Sequence, residues 1–377
     1  MTAAAMDDGM NDSKDRYRVQ LYRPELRNQV VSLLAHLGGV SRRARESARR
    51  RPTDYFRWKY ESDPHGADPL FYVVLRDRDV VAMRGMSAAT WEADGRPFEI
   101  PMAGDLVIAP EHRNRGLLTR LMEFAERDLS SRGVPFALNL SAGTVTRIAS
   151  LQMGWRSIGS LELWVRNQPG SRSVWRRLDK RVRAAVPLRE PGFRRLDRYA
   201  NRCHGQPLTV ECQPRSSAMA DLVDRIGTDG RIRRLRNELF FQRRFSDAVG
   251  PFRFLFWDEE RLEGYLILRA SAGGSRVAIL DWEATDGTIK RGLLSAAIEW
   301  GRFASLSIWG ASLDAKTGEL LSREGFEPRA RPKSIADYYP TILVRAIDRT
   351  DSGQWTLGGR HLLERDDWDI RMSYTDA

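Results

Sequence analysis

Two kinds of hydrophobic pattern recur along the chain, strand-length apolar runs and helical spacing, and they occur in the same order in each half. Continuous apolar runs of strand length follow aromatic segments, at Leu70–Leu75 in the first half and Phe252–Trp257 in the second. A charged turn and a second apolar run come after each of them. This order predicts a hairpin of buried strands in both halves.

A helical period follows each predicted hairpin. The apolar positions are Leu118, Leu121, Met122 and Ala125 in the first half, and Leu294, Ala297, Ile298 and Gly301 in the second. Both sets have the spacing 3, 1, 3, which places them on one face of an α-helix. The tetrapeptide Arg-Gly-Leu-Leu occurs at Arg115–Leu118 and again at Arg291–Leu294. We expect it to open a helix in both places.

These repeats predict an α/β (α+β) fold with two tandem domains, each a mixed, mostly antiparallel sheet flanked by helices. Residues 1–16 form a polar stretch that we expect to be disordered. The first domain is expected at residues 17–167 and the second at 207–377. Residues 168–206 form a basic linker between them, which we expect to be helical.

Composition narrows the class of protein. Of the 377 residues, 42% are hydrophobic and 29% are charged, which excludes a collagen-like or largely disordered chain. Two cysteines, Cys203 and Cys212, are too few for a disulfide framework, and no pair of ligands has zinc spacing. No apolar run approaches the roughly 20 residues of a membrane span. We therefore expect a cytoplasmic protein without a metal.

The net charge of +11 is concentrated in one stretch. Residues 171–202 carry 11 Arg and Lys against 3 Asp and Glu, with Val174, Leu178, Val182 and Val186 at helical spacing. A helix packed across the two halves explains this pattern, and weak contact with a membrane surface is the alternative. No nucleic-acid recognition motif accompanies the charge, so no nucleic-acid partner is expected.

The segment Gly104–Thr119 carries the most informative chemistry. Leu106–Ile108 reads as a buried strand, and Pro110 ends its pairing. Arg113–Gly116 then turns into a helix, whose N-terminal N–H groups and dipole attract anions. Gly116 allows close approach of a ligand, and two arginines add positive charge. These features together suit a diphosphate.

The same segment resembles motif A of the GNAT superfamily of N-acetyltransferases, which reads Val-x-Pro followed by Arg/Gln-x-x-Gly-x-Gly/Ala. Ile108–Pro110 and Arg113–Leu118 fit this pattern, except that Leu118 replaces the last small residue. Met153–Trp155 resembles the later Gly-aromatic turn of the family. The resemblance extends over about 17–166 and, more loosely, over 208–345. The early Tyr-Phe-x-Trp-Lys segment, Tyr55–Lys59, resembles the corresponding segment of tandem two-domain bacterial members of the family.

The resemblance implies an acyl-CoA co-substrate, acetyl-CoA being the first choice. The positions that match its pyrophosphate loop are Arg113, Asn114, Arg115, Gly116, Leu117 and Leu118. The pantetheine arm would pair with the strand edge at Val107 and Ile108. An amine would then attack the thioester directly, without an acyl-enzyme.

Candidate catalytic groups follow from the needs of that reaction. Asp105 is the first choice for the base, with Glu99 and Glu111 as alternatives. Ser150 occupies the position of the family's thiol-protonating Tyr and is a poor acid. Two polar residues lie on the strand after the helix, Asn139 and Ser141; they either face the acceptor or have a buried hydrogen-bonding role.

The sequence therefore predicts an acyl-CoA-dependent N-acyltransferase that modifies an amine of a small molecule or amino sugar. The site is expected in the first half, because Ile289 occupies the Arg/Gln position of the second. Ser150 and this degenerate copy keep a second hypothesis open, a non-catalytic acyl-CoA-binding or scaffolding protein. The aromatic cluster Tyr55–Tyr60 is expected to pack in the core, and a substrate wall is the alternative. Arg57 and Lys59 alternate along it and are candidates to face a negative ligand.

Overall fold

The computed structural model describes residues 17–37, 52–61, 69–168, 193–200, 207–246, 251–271, 276–329, 341–347 and 355–375. The predicted tail at 1–16 and the apolar stripe of the linker, from Val174 to Val186, lie outside the described residues. So does the proposed contact of that stripe with a membrane surface. Within the described part, no helix has the length and apolar character that crossing a bilayer requires.

The first half follows the predicted order of elements. Its strands are β1 (Tyr17–Leu21), β2 (Phe71–Arg76), β3 (Asp79–Ser87), β4 (Thr90–Ala93), β5 (Arg96–Glu99), β6 (Met102–Ile108), β7 (Phe136–Ala142), β8 (Arg156–Ser160) and β9 (Leu163–Asn167). Its helices are α1 (Arg27–Leu37), α2 (Pro52–Phe56), α3 (Leu117–Ser131) and α4 (Thr144–Gln152). Shorter turns are the 3-10 helices Pro24–Leu26 and Pro110–His112 and the π-helical turn Arg57–Glu61.

The second half repeats this order after the short helix α5 (Arg194–Ala200). Its strands are β10 (Leu208–Glu211), β11 (Ile232–Arg234), β12 (Phe252–Asp258), β13 (Leu262–Ala270), β14 (Arg276–Ala284), β15 (Ser305–Trp309), β16 (Glu327–Pro328), β17 (Thr341–Ala346), β18 (Thr356–Leu357), β19 (Arg360–His361) and β20 (Trp368–Asp369). Its helices are α6 (Ser216–Ile226), α7 (Glu238–Arg244), α8 (Gly287–Gly301) and α9 (Ala315–Arg323), with 3-10 turns at Arg365–Asp367 and Met372–Tyr374.

Two seven-stranded sheets organise the chain, and each takes one strand from across the predicted linker. The first has the order β1-β2-β3-β6-β7-β17-β8, and the second has β10-β12-β13-β14-β15-β9-β16. β17 thus pairs with β7 and β8, whereas β9 pairs with β15 and β16. A mixed sheet flanked by helices, as the sequence predicts, is present in each half.

Burial on both faces explains why β2 reads as a continuous apolar run. Tyr72 and Val74 pack in the cluster that contains α3, and Phe71 and Val73 pack in the cluster that contains α1. Because helices cover both sides of this strand, alternation with polar residues is absent. The same layering fixes β3 and β6 beside it.

A third, shared core joins the two halves. A four-stranded sheet of order β20-β11-β4-β5 combines elements from both. At its centre, Trp91 meets Trp368 and Tyr374 edge-on, with ring centroids 5.5 and 5.6 Å apart. All three rings are buried. The halves are therefore joined by common packing as well as by exchanged strands.

Candidate functional site

The strands β6 and β7 separate to form a wedge in the first sheet. They run parallel with one register pair, Met102 with Leu138, and the Leu138 N–H donates to the Pro101 carbonyl at 3.0 Å. No further pair joins these two strands, both of which are fully described, although β6 stays paired with β3 as far as Ile108. One edge of β6 is consequently open to pair with an extended ligand.

A loop with two left-handed residues leads from β6 into α3. Asn114 has φ of 59° and Gly116 has φ of 69°. Gly116 directly precedes the first residue of α3, so the early N–H groups of the helix face outward without a side-chain cap. A Cβ atom added to Gly116 would meet nothing within 4 Å, which shows that the space beside this helix end is open.

Three contacts fix this loop on the first sheet. The Tyr17 hydroxyl and Nδ1 of buried His112 share a hydrogen bond of 2.9 Å. Arg120 donates from Nη2 to the Tyr17 carbonyl at 2.8 Å, and Arg113 donates from Nε to the Ile108 carbonyl at 3.2 Å. Exposed guanidinium groups therefore surround a preformed helix terminus, an arrangement that suits a diphosphate.

Asp105 lies at a bulge of β6 within a cluster of charged and hydrogen-bonding groups. Its Oδ2 lies 3.0 Å from Nζ of Lys59 and accepts the Tyr60 hydroxyl at 2.7 Å. Burial alone would raise the pKa of the Asp105 carboxyl, but Lys59, Tyr60 and Arg84 together hold that pKa below its ordinary value. The carboxylate is therefore ionised and fixed in place at neutral pH.

The neighbours of Asp105 respond to the same buried environment. Burial, with help from Asp105, raises the pKa of Tyr60 well above its ordinary value, so its hydroxyl stays protonated. Burial lowers the pKa of Arg84 to about 10, although its guanidinium remains charged at neutral pH. Nη1 of Arg84 donates to the Gly104 carbonyl at 3.2 Å. A buried cation thus sits against the bulge that carries Asp105.

The remaining predicted residues do not join this cluster. Glu99 is exposed on β5 of the four-stranded sheet, where its carboxylate accepts the Thr90 hydroxyl at 2.6 Å. Ser150 is buried in α4. Asn139 is buried on β7, and its Oδ1 accepts the N–H of exposed Ser141 at 2.9 Å. The structure therefore brings Asp105 together with the 57–61 turn, whose lysine and tyrosine the sequence did not assign to the site.

The second half has a different helix terminus, and one expectation from the sequence is wrong there. α8 begins at Gly287, so Arg291–Leu294 lies inside the helix and does not open it. Asp286 precedes the helix, and its carboxylate accepts the N–H groups of Thr288 and Ile289 at 2.6 and 2.9 Å. A built-in anion already satisfies this terminus and would repel a phosphate.

Charged side chains also occupy the end of β14, the second-half counterpart of β6. Arg236 lies 3.2 Å from Asp281 and 2.7 Å from Glu283. Arg371, from the C-terminal segment, lies 2.7 and 2.8 Å from the same two acids. Burial would raise the pKa of Glu283, but both arginines keep it below its ordinary value. This half is therefore closed by its own ion pairs.

Potential metal ligands are dispersed. In the described ranges, no three His, Cys, Asp or Glu side chains lie together in an arrangement that could hold a metal ion. Cys212 is exposed and forms no disulfide.

Comparisons with known proteins agree with this geometry. Residues 35–155 match the family model described as Acetyltransferase (GNAT) domain. No curated protein matches the chain.

Three solved structures share the fold, and each aligns with 88% of the chain. They are a probable N-acyltransferase from Enterococcus faecalis (14% identity, 73% of its length, TM-score 0.57), a GCN5-related N-acetyltransferase from Anabaena variabilis (15%, 73%, 0.57) and one from Kribbella flavida (16%, 71%, 0.53). The family match spans β6, the loop and α3, and it confirms the resemblance in the sequence: residues 35–155 carry a GNAT acetyltransferase domain.

Proposed function

We propose that the protein transfers an acyl group, with acetyl as the first choice, from acyl-CoA to an amine of a small molecule or amino sugar. The observation that carries this proposal is the open wedge between β6 and β7, which ends at an uncapped helix terminus. An open strand edge that leads to an anion site suits a ligand that has an extended amide arm and a diphosphate.

The diphosphate would bind at the loop before α3. Arg113 and Arg115 are exposed and supply charge, and Asn114 and Gly116 supply the left-handed turns that direct backbone N–H groups outward. The N–H groups of Leu117 and Leu118 begin the helix. Val107 and Ile108 form the open edge of β6, which would pair with the pantetheine amides.

The acceptor amine would approach Asp105 from the side of the 57–61 turn. A carboxylate whose pKa is lowered is a weak proton acceptor but a strong electrostatic partner for an ammonium ion. We assign Asp105 to bind and orient that ammonium; water accepts its proton, which leaves the free amine to attack the thioester carbon. Exposed Ser141 is the polar group on β7 that we assign to the acceptor, with Asn139 fixing its backbone.

Thiolate departure would need little assistance from the protein. Ser150 is buried in α4, and a hydroxyl is a weak acid, so we assign it no proton transfer. A thiol with a pKa of about 8–9 leaves as a thiolate without a strong acid. The new amide would form as the carbon–sulfur bond breaks; its nitrogen would release a proton to solvent, and the thiolate would take a proton from solvent.

The full chain tests this proposal in two measurements. Calorimetry measures CoA binding, and release of free thiol from acetyl-CoA measures turnover with a panel of amines that includes amino sugars. Binding with amine-dependent release supports the transferase. Binding without release for any amine favours the alternative, an acyl-CoA-binding or scaffolding protein, and absence of CoA binding refutes both.

A further inference from the structure

The π-helical turn at Arg57–Glu61 holds Asp105 from above the sheet. Lys59 and Tyr60, neighbours on this turn, both contact its Oδ2. At the end of the turn, the Glu61 carboxylate accepts the Arg27 Nε at 2.8 Å. Such π-helical turns often occur at functional sites, where they redirect side chains.

Two glycines allow this turn to lie directly on the strands. A Cβ atom on Gly85 of β3 would lie 2.4 Å from the Tyr60 hydroxyl oxygen. A Cβ atom on Gly104 of β6 would lie 3.1 Å from that oxygen and 3.3 Å from Nζ of Lys59. The approach is so close that a small displacement of the turn would change both contacts to Asp105.

Trp58 connects the same turn to the other half of the chain. Its indole Nε1 donates to the Arg243 carbonyl at 2.9 Å. Arg243 lies in the last turn of α7, and its carbonyl also accepts the backbone N–H of Ser246 at 3.4 Å. The residue directly before Lys59 is therefore anchored on the second half, across 185 positions of sequence.

We propose that Trp58 is a positioning residue through which the second half sets the acceptor side of the first-half site. The carbonyl of Arg243 fixes the indole, the indole fixes the turn, and the turn fixes Lys59 and Tyr60 on Asp105. This inference rests on the proposed function in one respect only, the assignment of the Asp105 side to the acceptor. The second half then contributes to acceptor binding without a ligand site of its own.

Trp58→Phe tests the link because it removes the N–H and keeps most of the ring. Reductive methylation of the full chain with formaldehyde, followed by mass spectrometry, measures how accessible Lys59 is. Its side chain is 8% exposed, whereas Lys316 is exposed and serves as the internal reference. Loss of one hydrogen bond predicts about a two- to tenfold rise in the Lys59:Lys316 labelling ratio. Trp257→Phe is the matched control, a half-buried indole on β12 that bonds to Glu259.

Kinetics supply the second measurement. With the best amine of the panel, Trp58→Phe should raise the KM for the amine by a similar factor and leave calorimetric CoA affinity unchanged. An unchanged labelling ratio, or an equal rise in Trp257→Phe, would overturn the link. Raised labelling with an unchanged amine KM, or with no turnover of any amine by the parent, would overturn the acceptor role. A parent that does not bind CoA rejects the proposed function itself, while the labelling ratio still decides the link.

Discussion

Gly116 offers the sharpest test of the anion site. Its φ of 69° and ψ of 9° lie in the left-handed region, where a side chain costs about 1–2 kcal/mol. Gly116→Ala adds this strain alone, because the new Cβ would meet nothing within 4 Å. Gly116→Asp adds a negative charge beside the bound diphosphate, and two charges 4 Å apart interact by about 1 kcal/mol in water and about 4 kcal/mol at the effective dielectric of a protein surface.

The site is exposed, so we take the lower part of that range. Aspartate and asparagine both tolerate the left-handed conformation, so the charge alone separates them, and about 1–2 kcal/mol corresponds to roughly a 5- to 30-fold loss of CoA affinity for Gly116→Asp. Gly116→Asn removes the charge and should stay near the parent. The difference between Asp and Asn should shrink at high salt, because exposed charges are screened.

Calorimetry with CoA measures these affinities at low and high salt. Gly95→Ala is the matched control, because Gly95 has φ of 73°, an added Cβ there also meets nothing within 4 Å, and it lies in the turn between β4 and β5. It should reproduce the strain and leave CoA affinity unchanged. If Gly116→Asp bound CoA within twofold of the parent, the loop would not be the diphosphate site.

Three further outcomes follow from the structure. Asp105→Asn should lower turnover by about 10²–10⁴-fold in the thiol-release assay while CoA affinity stays the same; full activity would remove Asp105 from the reaction. Because the pKa of Asp105 is lowered, its ion pair stabilises the fold at pH values above the ordinary pKa of 3.8, and this stabilisation is lost as the pH falls through the lowered pKa. The urea unfolding midpoints of the parent and of Asp105→Asn should therefore converge only in acid. The fragment 1–167 lacks β17, the strand between β7 and β8, and should be insoluble or inactive; a soluble monomer with parental turnover would contradict this.

Local signals made the loop before α3 predictable from the sequence. Pro110 ends a strand, Gly116 marks the left-handed turn, and the apolar spacing after it marks the helix, all within about fifteen residues. The same reasoning was wrong at Gly292, because the tetrapeptide looks alike in both halves while the helix start depends on its cap. An added Cβ on Gly292 would lie 2.7 Å from the Trp257 ring, so that glycine serves close packing inside α8.

Contacts between distant residues set the limit of sequence reasoning. Asp105 was a candidate by position, but its two partners lie 45 and 46 residues earlier in the chain, in a segment that reads as aromatic packing. Nothing in the local pattern of β9 or β17 indicates that they change sheets, since both are ordinary short apolar strands. Pairing of that kind is decided by the assembled core, and no periodic pattern encodes it.

The two halves differ in the groups at the N-terminal ends of α3 and α8 and in the charged groups on β6 and β14. Gly116 leaves the terminus of α3 open to an external anion, whereas the Asp286 carboxylate satisfies the terminus of α8. At the bulge of β6, Asp105 meets Lys59 and Tyr60 of the 57–61 turn, whereas Arg371 covers the acids of β14. The second copy therefore uses its charges internally. It still supplies β17 to the first sheet, and Arg345 of that strand forms two 2.9 Å hydrogen bonds with Glu126 of α3, the helix whose first turn would bind the diphosphate.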